Sequence, residues 1–273
     1  MLQLIQIAGL PFLLCVMMSS ILGYLGIHVL KREVIFVDIA LAQIAAVGVI
    51  VSHLVFDVHE DSAISYLCSL AAIFVMAVFY AIARTSIVQI SIEAVIGISY
   101  AIAAAAALFL VGIQPGGHIH IQHILSGSLL WTGGRDVVTG AVAFSAVGFC
   151  LYLIRKPLMG LSETYRFACS KGAGAVFWDL VFYLLVGLVI TLSVQMGGIV
   201  LVFAYLIIPA TISAVFASQL RTQLIIIWIA AISASIFGLL FAYYLDFSVG
   251  PAIALLLGVE LIIAAVIGKL ITI

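Results

Sequence analysis

Six side chains have the types and spacing to hold or pass a cation: His118, His120, His123, Asp38, Gln43 and Glu260. The three histidines fall in Pro115-Gly-Gly-His118-Ile-His120-Ile-Gln-His123, an H-x-H-x-x-H pattern. Neutral imidazole suits borderline divalent cations such as zinc. The competing reading is a solvated Gly-rich loop, because metal affinity needs a geometry that such a loop does not fix by itself. Asp38, Gln43 and Glu260 lie in long apolar runs, where an ionisable group costs roughly 2.5–3.5 kcal/mol on insertion scales and so stands as a functional candidate. Asp38 and Gln43, five residues apart, point about 140° apart on a helix of 3.6 residues per turn and do not share a face. Glu260 lies near the middle of its run, beyond reach of an interface, and is expected to face a partner helix or a wet cavity. Glu93 and Asp179 open apolar runs, and read as interfacial carboxylates that pair with an arginine or cap a helix start. His53 and His59 beside Asp57, Glu60 and Asp61 read as a solvated or docking face, and His28 as structural.

The elements that carry these residues follow from composition. Of 273 residues, 66% are hydrophobic and 8% charged, against about 25% charged in soluble domains. This identifies a polytopic, all-helical membrane protein. Nine spans of the length a bilayer needs are expected at roughly 7–30, 34–55, 62–83, 91–113, 135–154, 175–194, 198–218, 222–245 and 249–268, in one domain over 1–273. The first reads as a membrane span and not as a cleaved leader, since a basic n-region and an A-x-A site are missing. Lys31, Arg32, Arg84, Arg155, Lys156, Arg166, Lys171, Arg221 and Lys269 share one side when the N-terminus is outside, with Arg135 alone opposite. That bias predicts an outer N-terminus and a cytosolic C-terminus. Cys15, Cys68 and Cys150 lie in apolar runs and Cys169 in a polar loop, so there is no disulfide or zinc-ribbon spacing. No basic block suggests nucleic acid. Pro209 within YLIIPATISA is expected to kink the seventh span, because proline removes a helical hydrogen bond.

The longest polar stretch, 155–174 (RKPLMGLSETYRFACSKGAG), falls on the cytosolic side in this orientation. Leu161, Tyr165, Ala168 and Cys169 follow the i, i+4, i+7, i+8 pattern of one helix face, with Ser162 placed to cap its start. The sequence has no G-x-x-x-x-G-K-[ST], G-x-S-x-G or H-E-x-x-H pattern. An ATP-driven role would therefore need another subunit to bind the nucleotide.

Five stretches, in order, resemble the permease subunit of metal-ion (zinc, manganese or iron) ATP-binding-cassette importers. FVDIALAQIAAVGV is similar to the family's GDALSHAVLPGV, with Gly48 at the glycine. SIEAVIGISYAIAAAAAL is similar to DAAIGILFALALALG, with Gly97 in place, and ILSGSLLWT to LFGSLLGV, with Gly127. GGIVLVFAYLIIPATISA is similar to VGVLLVSALLIIPAATA, matching Gly198, Leu201, Pro209 and Ala210. LDFSVGPAIAL is similar to LDLPSGPTIVL, matching Asp246, Gly250 and Pro251. The polar stretch is similar to SFDEELARALG, with Glu163, Ala168 and Gly172 as counterparts. The chain departs from the pattern where Gln43 stands for the family's histidine, Ile39 for its aspartate and Ser248 for a proline. The transported cation, or a metal chelate, is left open by these departures.

The resemblance implies a homodimeric permease in a bacterial or archaeal cytoplasmic membrane, without its own ATPase site or a permanently bound cofactor. It implies cytosolic ATPase subunits, an extracytoplasmic metal-binding protein, and a divalent metal ion as cargo. Leu161, Glu163, Tyr165, Arg166, Ala168 and Gly172 would couple to the ATPase through the segment at about 155–174, with Tyr165 and Arg166 as the foremost contacts. The alternative is a stand-alone secondary metal-ion or cation transporter that uses Asp38 and Glu260 as relays. A membrane metalloenzyme would need several histidine boxes on one side, and six histidines do not supply them.

Overall fold

Within a bilayer no water satisfies backbone amides, so long apolar runs must close their hydrogen bonds internally as helices. The computed structural model describes residues 2–58, 62–86, 89–113, 129, 132–164, 173–245 and 247–271. Among them the helices are α1 (Leu2–Arg32), α2 (Val37–Phe56), α3 (Ala63–Ser86), α4 (Ile92–Ile113) and α5 (Gly134–Leu153). They continue as α6 (Arg155–Thr164), α7 (Ala173–Gly197), α8 (Ile199–Phe216), α9 (Leu220–Leu245) and α10 (Val249–Ile271). Nine of these are long and apolar enough to cross a membrane, and α6 is the short exception. The membrane-crossing stretches, beginning with Ala8–Arg32 in α1, all lie within three residues of the expected bounds, the largest offsets being at 34 against Val37, 83 against Ser86 and 194 against Gly197.

The chain divides into two compact units, one drawn from Met1–Leu30, His123–Leu151 and Leu192–Ile273, the other from Lys31–Gln122 and Tyr152–Thr191. In the first unit, α8, α9 and α10 pack on one another. Ile27, Ala210 and Ile227 join α1 to α8 and α9, while Ile212, Ala230 and Ala264 join α8, α9 and α10. Lipid competes with apolar side chains for these surfaces, so close approach of backbones through small residues supplies much of the packing. Gly26 is the extreme case: an added Cβ would lie 1.9 Å from the Leu206 carbonyl oxygen of α8. Pro209 lies one turn further along α8 and deprives the Tyr205 carbonyl of its helical donor. The Tyr205 hydroxyl is buried and hydrogen-bonds the Ser235 hydroxyl of α9 at 2.6 Å. Gly198, with φ of 80°, is the single residue between α7 and α8, and this left-handed φ is one that side-chain-bearing residues rarely adopt.

In the second unit, α2 packs against α3 and α4. Gly48 of α2 permits this, since a Cβ there would lie 2.8 Å from Ser69 Cα and 2.9 Å from the Cys68 carbonyl oxygen. Gly97, matched in the same family pattern, has nothing within 4 Å of where its Cβ would be, so a packing role falls to Gly48 and not to Gly97. The Ser52 and Ser65 hydroxyls bond across α2 and α3 at 2.8 Å, and Tyr80 of α3 meets Tyr183 of α7 edge to face with ring centroids 5.5 Å apart.

Candidate functional site

The most concentrated polar chemistry among the described residues lies in the second unit, at the C-terminal ends of α1 and α3 and the first turns of α7. Arg32 and Asp179 have fully buried side chains, and Arg84 is 11% exposed. Arg32 Nη1 donates to Asp179 Oδ1 at 2.7 Å, and Arg84 Nη1 donates to Asp179 Oδ2. One carboxylate thus engages two guanidiniums, one from each of two other helices. Arg32 Nε donates to the Ser162 hydroxyl at 3.0 Å, and the Arg32 guanidinium stacks over the Phe182 ring with 4.0 Å to the centroid. Charge-assisted hydrogen bonds of this kind are about twice as strong as neutral ones, and the aromatic face adds a cation–π attraction. Two cations and one anion out of water are costly unless all remain together.

Ser162 belongs to α6, so the buried network reaches the polar stretch singled out in the sequence. The helix starts at Arg155 and not near Ser162. Pro157 explains the earlier start: proline is accepted in a first helical turn, where its missing N–H is no loss. Ser162 is therefore not an N-cap. It sits in the last turn, donates to the Leu158 carbonyl at 2.9 Å and accepts from Arg32. Leu158 and Ser162, four residues apart, form the buried face, whereas Arg155, Lys156, Gly160 and Glu163 are exposed. Leu161 is half-buried; Glu163 pairs with Lys31 at 3.3 Å, and Lys31 Nζ also lies 3.4 Å from Met159 Sδ. Tyr165, Arg166, Ala168 and Gly172 lie outside the described residues.

Asp38 is buried and is the second residue of α2, closer to the helix start than the sequence reading placed it. Its Oδ1 has no hydrogen-bond partner among the described residues. Glu93 of α4 accepts the Phe36 N–H at 3.2 Å, so its carboxylate caps the start of α2 and not that of its own helix. Gln43 is half-buried further along α2. Glu260 of α10, in the first unit, takes the Ser233 hydroxyl of α9 at 2.8 Å on Oε1, while Oε2 has no partner among the described residues. His118, His120 and His123 lie outside the described residues, as do His59, Glu60, Asp61 and Asp246. Among the described residues no three His, Cys, Asp or Glu side chains gather as a set that could hold a metal. Asp38 and Glu93 do lie near enough to interact electrostatically.

The sequence reading had Asp179 either pair with a nearby arginine or cap a helix start; the fold uses the first, with two arginines. The partners, Arg32 and Arg84, are 147 and 95 residues away. The signal available was a basic residue in the last turn of each of two spans, where it complements the helix dipole.

The family described as the ABC 3 transport family matches residues 1–268. A Haemophilus influenzae protein named "Probable iron transport system membrane protein" is 26% identical over 171 residues, 63% of this chain and 60% of the relative. The "Manganese import system permease protein ScaB" of Streptococcus parasanguinis is 27% identical over 163 residues, 60% of this chain and 58% of the relative. The chain thus spans somewhat under two thirds of the length of the curated relatives it matches. Among solved structures, "PsaBC from Streptococcus pneumoniae in complex with Fab" shares the fold, with a TM-score of 0.75 at 20% identity over 93% of this chain and 89% of that one.

Proposed function

The chain belongs to the ABC 3 transport family, and from that membership we propose that it is the membrane permease subunit of an importer for divalent transition-metal ions. The family match over residues 1–268 is the observation that carries this reading. Iron and manganese appear in the names of similar proteins, and zinc belongs to the same class of cargo. A separate cytosolic ATPase supplies the energy, since these 273 residues contain no phosphate-binding loop pattern. An extracytoplasmic binding protein delivers the ion, two copies of the chain form the pathway, and the N-terminus faces outward in the cytoplasmic membrane.

Translocation asks little covalent chemistry of such a chain. The ion must meet ligands favourable enough to enter and weak enough to leave. Asp38 and Glu260 suit that demand: each is a carboxylate inside an apolar helix with one oxygen without a hydrogen-bond partner among the described residues. Gln43 offers a neutral oxygen. His118, His120 and His123 would serve as an outer ligand set. Replacing all three with Ala is expected to raise the manganese concentration needed for half-maximal uptake about ten-fold, by analogy with the loss of metal affinity when supporting ligands are removed. Uptake with an unaltered concentration dependence returns these histidines to a solvated loop.

The stretch 155–174 is the ATPase-facing surface in this reading. Arg166→Glu reverses a charge there, and like-charge contacts across an interface cost several kcal/mol. Uptake by the complete complex is expected to fall about ten-fold or more while the protein remains folded in the membrane. Tyr165→Ala should act in the same direction. Unchanged uptake and unchanged stimulation of ATP hydrolysis in both variants would remove this stretch from the docking surface.

A further inference from the structure

We propose that Arg32 is a positioning residue for energy coupling: its guanidinium is the rigid joint that makes α6 move together with the adjoining ends of α1, α3 and α7. The proposal rests on the reading of α6 as part of the ATPase-facing surface. It adds which atoms carry a displacement of that surface into the membrane helices.

The contacts between α6 and the end of α1 differ in character. The Lys31–Glu163 pair is a surface ion pair, with side chains 29% and 62% exposed. Such pairs contribute about 0–1 kcal/mol and hold no fixed geometry. The Arg32–Ser162 bond is buried, and its donor belongs to a planar group whose five N–H directions are fixed relative to one another. Nε of that group bonds Ser162 while Nη1 bonds Asp179 at 2.7 Å. A shift of Ser162 therefore either breaks a buried charge-assisted bond or drags the guanidinium, and Asp179 with it. Asp179 passes the displacement to α3 through Arg84. The Phe182 ring under the guanidinium restrains it from rotating out of this plane. A lysine in place of Arg32 could reach Asp179 or Ser162, but a single ammonium lacks the fork that bonds both in fixed register.

Ser162→Ala deletes the Arg32–Ser162 bond and leaves the Arg32–Asp179–Arg84 ion pairs in place. Arg32→Lys tests the fork itself, and Ser162→Ala decides if Arg32→Lys does not fold. The experiment uses the complete complex, with its ATPase and binding protein, in proteoliposomes with manganese as the transported ion. Ions taken up per ATP hydrolysed are measured together with the thermal midpoint. Each variant gives up one buried charge-assisted bond and is expected to lower the thermal midpoint modestly while hydrolysing ATP at near the original rate. The ratio of ions to ATP should fall about five-fold or more, the low end of coupling between distant sites. A benzophenone amino acid at position 160, which is exposed and where a Cβ meets nothing within 4 Å, reports whether α6 touches the ATPase. A cross-link with an unchanged ratio overturns the joint and spares the docking reading. Absence of a cross-link overturns the docking reading and the joint's role with it. A parallel fall in midpoint, hydrolysis and uptake makes Arg32 a structural brace and also overturns the proposal.

Discussion

Asp179→Ala is expected to destabilise the protein by about 3–5 kcal/mol, the cost of removing one partner from a buried charge network. Asp179 is the acceptor for both Arg32 Nη1 and Arg84 Nη1, so its loss takes the carboxylate from two guanidiniums at once. Arg84 is 11% exposed, whereas the Arg32 side chain is fully buried. Asp179→Asn should also be damaging: one amide oxygen can serve one arginine, but its NH2 then points at the other donor. Replacing the whole network, as Arg32→Met with Asp179→Leu and Arg84→Met, should cost less than Asp179→Ala alone, because no uncompensated charge remains. The fraction of each variant that stays monodisperse after heating in detergent measures this order. An Asp179→Ala variant as heat-resistant as the parent, or a triple variant worse than the single one, contradicts this account of the network.

The second large effect is steric. Gly26→Ala would put a methyl 1.9 Å from the Leu206 carbonyl oxygen and 3.0 Å from Ala210 Cβ. No rotamer change relieves a collision with backbone, so α1 and α8 must separate. The loss is expected at the upper end of the about 1–3 kcal/mol typical of overpacked cores, or above it. Gly97→Ala supplies the control, because its added Cβ meets nothing within 4 Å. It should be neutral or slightly stabilising, since alanine favours a helix over glycine by about 1 kcal/mol. Equal heat resistance for Gly26→Ala and Gly97→Ala would mean that the α1–α8 approach is not as close as described.

These two cases also mark where sequence reasoning ends. Nine apolar runs of bilayer length are a local property of composition, and they were legible to within three residues at their ends. Gly26 and Gly97 look alike in sequence, each a glycine in an apolar helix, and only the neighbouring backbone separates them. Asp179 stood out as an interfacial carboxylate, yet its two partners come from helices far along the chain. The start of α6 was legible in principle from Pro157, whose place in a first turn outweighs the capping tendency of Ser162. Glu93 shows a related limit: it was read as pairing with an arginine or capping a helix start, and the start it caps is that of α2, which sequence alone does not single out. Of the cation candidates, Asp38 and Glu260 each carry an oxygen for which the described residues offer no hydrogen bond. His118, His120 and His123 lie outside the described residues, and their role rests on uptake measurements.

Manganese uptake into sealed proteoliposomes is the most direct measurement of the central proposal. The chain is reconstituted alone, with an ion or proton gradient, and again with its co-purified ATPase and binding protein. An ATP-driven permease subunit predicts no uptake by the chain alone under any gradient, and uptake by the complex that stops when ATP is withheld. Gradient-driven uptake by the chain alone, without a nucleotide-binding partner, would contradict it and identify a stand-alone transporter.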